Sequence, residues 1–326
     1  MQVSGIDDTL AIPALAFALQ TLPNAIVWES TSIRRDADAV ALWLREIAGE
    51  SDQSWLLHVF AAFDDRAATP GKAKLLGTAI RDSLKRKAKG LLRRLNEKSN
   101  FAPETAALAQ VSWLTPSELA LSWCNFSERK RWRRAMSLLP GGVAPIGMDR
   151  RPPSRAYRKL LEAEAQMGRE IQKDQAVVDL GASPGGWSFV ALDHGAHVMA
   201  VDRSPLDEPL MRQRRLRFVA GDAFRFRPDQ PVDWMLADVA AYPERTLQLV
   251  RDWLTNGWCR SLIVTVKFVG DKQYVILEEF KAMLTETADD FRIRKLLENK
   301  NEVTIMAWTT TTSDTTSRSK TTATEG

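Results

Sequence analysis

The sequence predicts an α/β protein in which a doubly wound, mostly parallel sheet of seven strands follows a smaller α+β domain. Three observations carry this reading. From residue 154 onward, short apolar runs alternate with helix-length segments, as they do when parallel strands are buried on both faces. Ahead of them, residues 139–154 read LPGGVAPIGMDRRPPS, whose prolines and glycines break helix and strand alike. The length of 326 residues also suits two domains better than one small core. The expected division is 1–140, 141–309 and a polar Thr/Ser-rich tail, 310–326, with too little to bury for an ordered structure.

The composition removes several classes at once. With 44% hydrophobic and 26% charged residues, the chain is not disordered throughout. Two cysteines, Cys124 and Cys259, build neither a disulfide framework nor a four-thiolate site, which suits a reducing compartment. Three histidines (His58, His194 and His197) make a His-rich metal site a poor expectation. The apolar run at 10–22 follows Asp7 and Asp8, is bounded by Pro13 and Pro23, and is too short to span a bilayer. The expectation is a cytoplasmic protein with no metal and no membrane partner.

In the first domain, residues 25–29 (AIVWE) read as a short strand. Residues 36–48 follow as a helix with Val40, Trp43, Leu44 and Ile47 on one face, and Gly49 closes it. A second strand is expected at 55–63 and one long helix at 75–95, with Leu76, Ile80, Leu84, Ala88, Leu91 and Leu95 as its buried stripe. Residues 111–114 and 119–123, separated by TPSE, predict a hairpin. Periodicity gives this domain no fold name.

In the second domain, Ser154 is a candidate N-cap for a helix through Tyr157, Leu160, Leu161 and Ala165. Strands are expected at 176–180, 197–202, 217–221, 232–239, 262–268, 291–295 and 303–308. The sharpest local feature is VVDLGASPGGWSF at 177–189, a buried strand running into a glycine-rich turn that opens a helix. A plain tight turn is the ordinary alternative. A dinucleotide turn fits less well, because Ser183 occupies the position of its second glycine and Pro184 follows. Asp202, Asp222 and Asp238 end the next three strands, and acids there converge on the crevice where open α/β sheets bind ligands.

Read together, PSRAYRKL, VVDLGASPGGWS, AVDRSP, VAGDAF, MLADVA, VTVKF and NEVTIMAW resemble the FtsJ-type ribose 2′-O-methyltransferases, in that family's order, across residues 141–308. The resemblance implies a Rossmann-like class I domain that uses S-adenosylmethionine. It implies that Ser183, Pro184, Gly185, Gly186 and Trp187 line the methionine end of the cofactor, with Ser154 beside the pocket. Asp202 would contact the cofactor ribose, Asp222 the adenine edge, and Asp238 the region of the sulfonium. The family's Lys-Asp-Lys-Glu catalytic set falls on Lys159, Asp238, Lys267 and Glu302. Within the family, GGVAPIGM and LTNGWC are most similar to bacterial members that methylate a cytidine ribose in 23S rRNA.

Such a set suits the chemistry. The weak reactant is a neutral 2′-hydroxyl, which must lose its proton as it attacks in line. Lys267 interrupts LIVTV-K-F inside an otherwise buried strand, where a charge is costly unless paired, and it is the expected general base. An ordinary lysine, with a pKa of about 10.4, is protonated at neutral pH. Desolvation and a second cation, Lys159, favour the neutral amine, while the carboxylates of Asp238 and Glu302 oppose it. Lys159 would also stabilise a developing alkoxide. Taken singly, Lys159 reads as a solvated helix residue and Glu302 as a strand-edge charge.

Positive charge is segregated. Residues 71–98 hold ten basic residues and two acids, 129–134 read RKRWRR, and Arg212, Arg214, Arg215 and Arg217 cluster before the third strand. One such run is ordinarily a solvated face. Three beside such a crevice point to RNA, with large-subunit rRNA the expected substrate. Two alternatives remain: the same chemistry on tRNA or another RNA, and a non-catalytic RNA-binding ribosome-assembly factor.

Overall fold

The computed structural model describes residues 16–49, 53–61, 70–96, 106–125, 136–137 and 139–309. The basic run at 129–134, the start of the apolar run at 10–22 and the tail 310–326 lie outside them. The chain divides into two compact units, Met1–Pro145 and Ile146–Gly326.

The first unit contains β1 (Ile26–Glu29), α1 (Ile33–Ala48), β2 (Trp55–Ala61), α2 (Pro70–Lys87), α3 (Lys89–Arg93), β3 (Ala107–Thr115) and β4 (Glu118–Asn125). Its sheet has the order β1-β4-β3-β2, with β2 and β3 parallel and the other pairs antiparallel. Ser32 caps α1 by accepting from the Arg35 N–H, and the helix seats Val40 and Leu44 in one cluster with Leu76, Ile80 and Leu84 of α2. Trp55, Val111, Trp113 and Leu121 supply the sheet side of that core. The opposite sheet face is buried too. There the row His58, Gln110 and Ser122 lies under the segment Thr21–Pro23, whose carbonyls accept from Gln110 Nε2 and Ser122 Oγ.

One expectation for this unit fails. The single helix at 75–95 is two helices, because Ala88 leaves helical geometry at φ −151° and ψ 58°. The break turns Leu91 toward β2, where its carbonyl accepts from the Trp55 indole at 2.9 Å. A tertiary hydrogen bond to a buried Trp outweighs the continuity of the apolar stripe.

The second unit contains α4 (Tyr157–Met167), β5 (Ala176–Leu180), α5 (Gly186–Asp193), β6 (His197–Asp202), α6 (Glu208–Met211) and β7 (Leu216–Ala220). β8 (Val232–Ala237), α7 (Pro243–Thr255), β9 (Cys259–Lys267), α8 (Ile276–Thr287), β10 (Asp290–Arg294) and β11 (Glu302–Trp308) complete it. The seven strands run in the order β10-β11-β9-β8-β5-β6-β7. β5 to β9 are parallel, and β11 is antiparallel to both its neighbours. This is the doubly wound, mostly parallel sheet the sequence predicts. The chain proceeds outward through β6 and β7, then crosses back to β8. That puts a topological switch point between the carboxyl ends of β5 and β8.

Ser154 is not an N-cap. α4 starts at Tyr157, and Ala156 precedes it in helical geometry with no side-chain capping bond. The N–H groups of Arg158 and Lys159 instead bond three residues back, to Arg155 and Ala156, so the helix opens through a tighter turn.

Candidate active site

Four charged side chains meet at the carboxyl edge of β8 and β9. Lys159 reaches from α4 to Asp238, just past β8, at 3.1 Å, and to Glu302, the first residue of β11, at 2.5 Å. Lys267 ends β9, and its ammonium lies 3.1 Å from Asp238 Oδ1 and donates to the Asp238 carbonyl at 3.2 Å. The charges alternate as Glu302, Lys159, Asp238, Lys267. Sheet register explains part of this, since Glu302 is paired with Lys267 across the β9–β11 ladder.

The two lysines are not equivalent. The Lys159 side chain is 10% exposed and that of Lys267 is 33% exposed. Burial alone would lower the pKa of Lys159, but Asp238 and Glu302 outweigh it and hold the ammonium above the ordinary range. Burial likewise works against the Asp238 carboxylate, and Lys159 and Lys267 reverse it, holding its pKa below the ordinary range. Lys159 is therefore a fixed, enclosed cation. Lys267 is the amine that faces out.

The glycine-rich turn lies at the same switch point. Gly181 has φ +72°, and a Cβ there would stand 2.4 Å from Val239 Cγ1, so the loop after Asp238 can sit against the turn only without a side chain. Gly185 has φ +112°, and its Cβ would meet Leu210 Cδ1 at 2.3 Å. At Gly186 a Cβ would lie 2.4 Å from Ser154 Oγ, which places Ser154 against the start of α5. Pro184 is exposed at the turn. The Trp187 indole is buried in the core and donates to the Ala156 carbonyl at 2.8 Å, tying α5 to the segment before α4.

Asp202 ends β6 and accepts the N–H groups of Ser183 at 3.0 Å and Ser204 at 2.9 Å. Asp222, two residues past β7, accepts from the Phe224 N–H at 2.9 Å and from Arg203 at 2.8 Å. The Phe224 N–H first, and Arg203 with it, keeps Asp222 below the ordinary carboxylate range. Half-buried carboxylates on neighbouring strand ends suit a nucleoside, whose hydroxyl and amino groups are donors. Among the described residues, no group of three or more His, Cys, Asp or Glu side chains is arranged to hold a metal ion. No helix among them is long and apolar enough to cross a membrane.

Sequence reasoning missed Asp179. It is buried beneath the turn and accepts from Ser188 Oγ at 2.7 Å. Burial first, and the charges of Asp238 and Asp202 with it, pushes its pKa up to about 7. The signal was present in VVDLG, an acid inside an apolar strand, the same kind of interruption that marked Lys267.

A doubly wound sheet with a glycine turn at its switch point and acids on successive strand ends defines a Rossmann-like domain, here with a paired lysine set at the same edge. More narrowly, residues 152–306 are similar to the FtsJ-like methyltransferase family. Ribosomal RNA large subunit methyltransferase M of Alkalilimnicola ehrlichii is 35% identical over 177 residues, 52% of this chain and 49% of the relative. The protein of that name from Pseudomonas putida strain W619 is 36% identical over 166 residues, 49% of this chain and 46% of its own. The one from Thauera aminoaromatica is 32% identical over 179 residues, 52% of this chain and 49% of its own. The chain spans about half the length of the curated relatives it matches. Among solved structures, Burkholderia thailandensis 1,6-didemethyltoxoflavin-N1-methyltransferase with bound S-adenosylhomocysteine aligns at TM-score 0.36. Its identity is 18%, over 48% of this chain and 80% of that one.

Proposed function

We propose that the protein transfers a methyl group from S-adenosylmethionine to a ribose 2′-hydroxyl of RNA, with large-subunit rRNA as the substrate and the cytoplasm as its place of action. The observation that carries the proposal is the alternating set Glu302, Lys159, Asp238 and Lys267 beside the glycine turn. The named activity of the relatives supports the choice of substrate.

In this reading Asp202 and Asp222 hold the ribose hydroxyls and the adenine amino group, and Ser183 to Gly186 lie along the methionine end, with Ser154 behind them. When bound, what S-adenosylmethionine supplies is a methyl group already activated on a sulfonium. The remaining work is on the acceptor. Lys267 Nζ, in its neutral form, takes the proton of the 2′-hydroxyl as the oxygen attacks in line. Asp238 orients that amine through both its carboxylate and its carbonyl. Lys159, kept charged by two carboxylates, stabilises the negative charge that develops on the oxygen.

The first unit serves to hold RNA. Lys74, Lys85, Lys89 and Arg93 are exposed on α2 and α3, and none forms an ion pair with another described residue. Arg86 and Lys87 are engaged by Asp38 at 3.0 and 3.2 Å. Exposed cations on two consecutive helices suit a phosphate backbone.

The test is tritium transfer from labelled S-adenosylmethionine to an unmodified large-subunit rRNA transcript, with the product mapped for 2′-O-methyl groups. Label on a 2′-oxygen supports the proposal. Label on a base, or cofactor binding with no transfer to any RNA, defeats it. RNA binding should also weaken steeply between low and high salt.

A further inference from the structure

Two loops leave the sheet directly after the paired residues of the site, and each displays a large apolar side chain. Tyr242 stands four residues past Asp238 and is 68% exposed; Val269 stands two residues past Lys267 and is 83% exposed. β8 and β9 are parallel, hydrogen-bonded neighbours, so both loops begin on the same edge. They follow Asp238 and Lys267, the latter the more exposed of the two paired lysines.

Neither side chain is exposed for want of order around it. The Tyr242 carbonyl accepts from the N–H groups of Arg245 at 3.1 Å and Thr246 at 3.2 Å, so the residue is fixed as the cap of α7. In the other loop, the Val269 N–H donates to Gln273 Oε1 at 2.7 Å. Phe268 meets Tyr274 edge-on at 5.0 Å, and the Tyr274 hydroxyl donates to Asn301 Oδ1 at 2.6 Å. Asn301 Nδ2 in turn donates to the Phe268 carbonyl at 2.9 Å. Both backbones are pinned while their apolar side chains face water. Such an arrangement costs apolar exposure with no gain to the fold, and it leaves a preorganised platform.

We infer that Tyr242 is a positioning residue for the acceptor, a reading that rests on the ribose-methyltransferase function proposed above. Its ring stacks on the base of the acceptor nucleotide, with Val269 against the other side, and the attached ribose then presents its 2′-hydroxyl to Lys267. Approach from the Lys267 side is the open one, because Lys267 is more exposed than Lys159 and Glu302. The ligand class is an unpaired nucleotide of single-stranded RNA, since a base held in a duplex has no free face to offer. Every base has a stacking face, so the platform selects for an unstacked nucleotide more than for base identity.

The experiment compares wild type, Tyr242→Ala and Tyr242→Phe, each as the full chain, on an unmodified large-subunit rRNA transcript. KM for RNA and kcat are read by tritium transfer, and S-adenosylhomocysteine affinity by calorimetry. Tyr242→Ala should raise KM for RNA about tenfold or more, the loss of one base–aromatic stack, with kcat changed much less and S-adenosylhomocysteine affinity unchanged. Tyr242→Phe should restore KM, because the ring and not the hydroxyl carries the effect. An unchanged KM in Tyr242→Ala overturns the inference, as does equal loss in both variants or a parallel loss of S-adenosylhomocysteine affinity. A wild-type protein that methylates no RNA overturns the functional reading itself, which separates the two failures.

Discussion

Glu302 lies directly opposite Lys267 in the antiparallel β9–β11 ladder, yet its carboxylate pairs with Lys159. The register sets the two residues side by side, while the ion pairing leaves Lys267 bound to Asp238 alone among the site's acids. The acids are thus shared unequally: Lys159 has two and Lys267 has one. Under the proposed function, that asymmetry favours charge stabilisation for the enclosed amine and proton transfer for the open one.

Lys267→Ala should lower methyl transfer by a factor of at least about 10² to 10⁴, the usual contribution of a positioned base. Binding of S-adenosylhomocysteine, measured by calorimetry, should stay near the wild-type value. A purified variant that remains active removes Lys267 from the base role.

The two members of the buried pair should be energetically coupled. Lys159→Met leaves Glu302, whose side chain is 9% exposed, without its cation, and a loss of about 3–5 kcal/mol is expected in urea melts of the second unit. Glu302→Gln should also destabilise. The double variant should lose less than the sum of the two, and strict additivity would show that the pair is not coupled.

Gly185→Ala places a Cβ at φ +112° and 2.3 Å from Leu210 Cδ1. Either the turn or α6 must shift, at more than about 1 kcal/mol. Thermal melting should fall and S-adenosylhomocysteine affinity with it. An alanine variant with wild-type affinity would detach the turn from cofactor binding.

Stability of the second unit should depend on pH through Glu162. Burial first, with the charge of Glu298 adding, raises its pKa from 4.5 to about 7. Below pH 4.5 the carboxyl is protonated whether the chain is folded or not, and it contributes no difference. As pH rises from 4.5 to 7 the unfolded chain releases the proton and the folded chain retains it, so stability falls. The loss is complete above pH 7, on the order of 3 kcal/mol. Glu162→Gln should therefore raise the melting temperature at pH 8 and leave it nearly unchanged at pH 4. An equal shift at both values would refute the ionisation argument.

The sheet was legible because its central strands, β5, β8 and β9, are largely buried and written as mainly apolar runs. Lys267 was legible for the complementary reason, as a charge inside such a run. Lys159 and Glu302 look ordinary in sequence, and only the family resemblance singled them out, since their meaning depends on contacts between distant segments. Ala88 and Ser154 misled for one physical reason. A periodic stripe and a capping residue are local signals, and a buried indole and a close approach of Ser154 to Gly186 decide otherwise from far along the chain. Tyr242 had no local signal at all. Its exposure at the rim becomes visible only when β8 and β9 are set side by side.

The reversed direction of β11 has a consequence during synthesis. Glu302 reaches the working edge from the last strand, whereas Lys159, Asp238 and Lys267 are all made earlier. A nascent chain that has emerged only as far as β9 owns three of the four groups, with Lys159 lacking half its countercharge. Translation must pass residue 302 before the fourth exists, so the complete charge set of the proposed site forms only with β11.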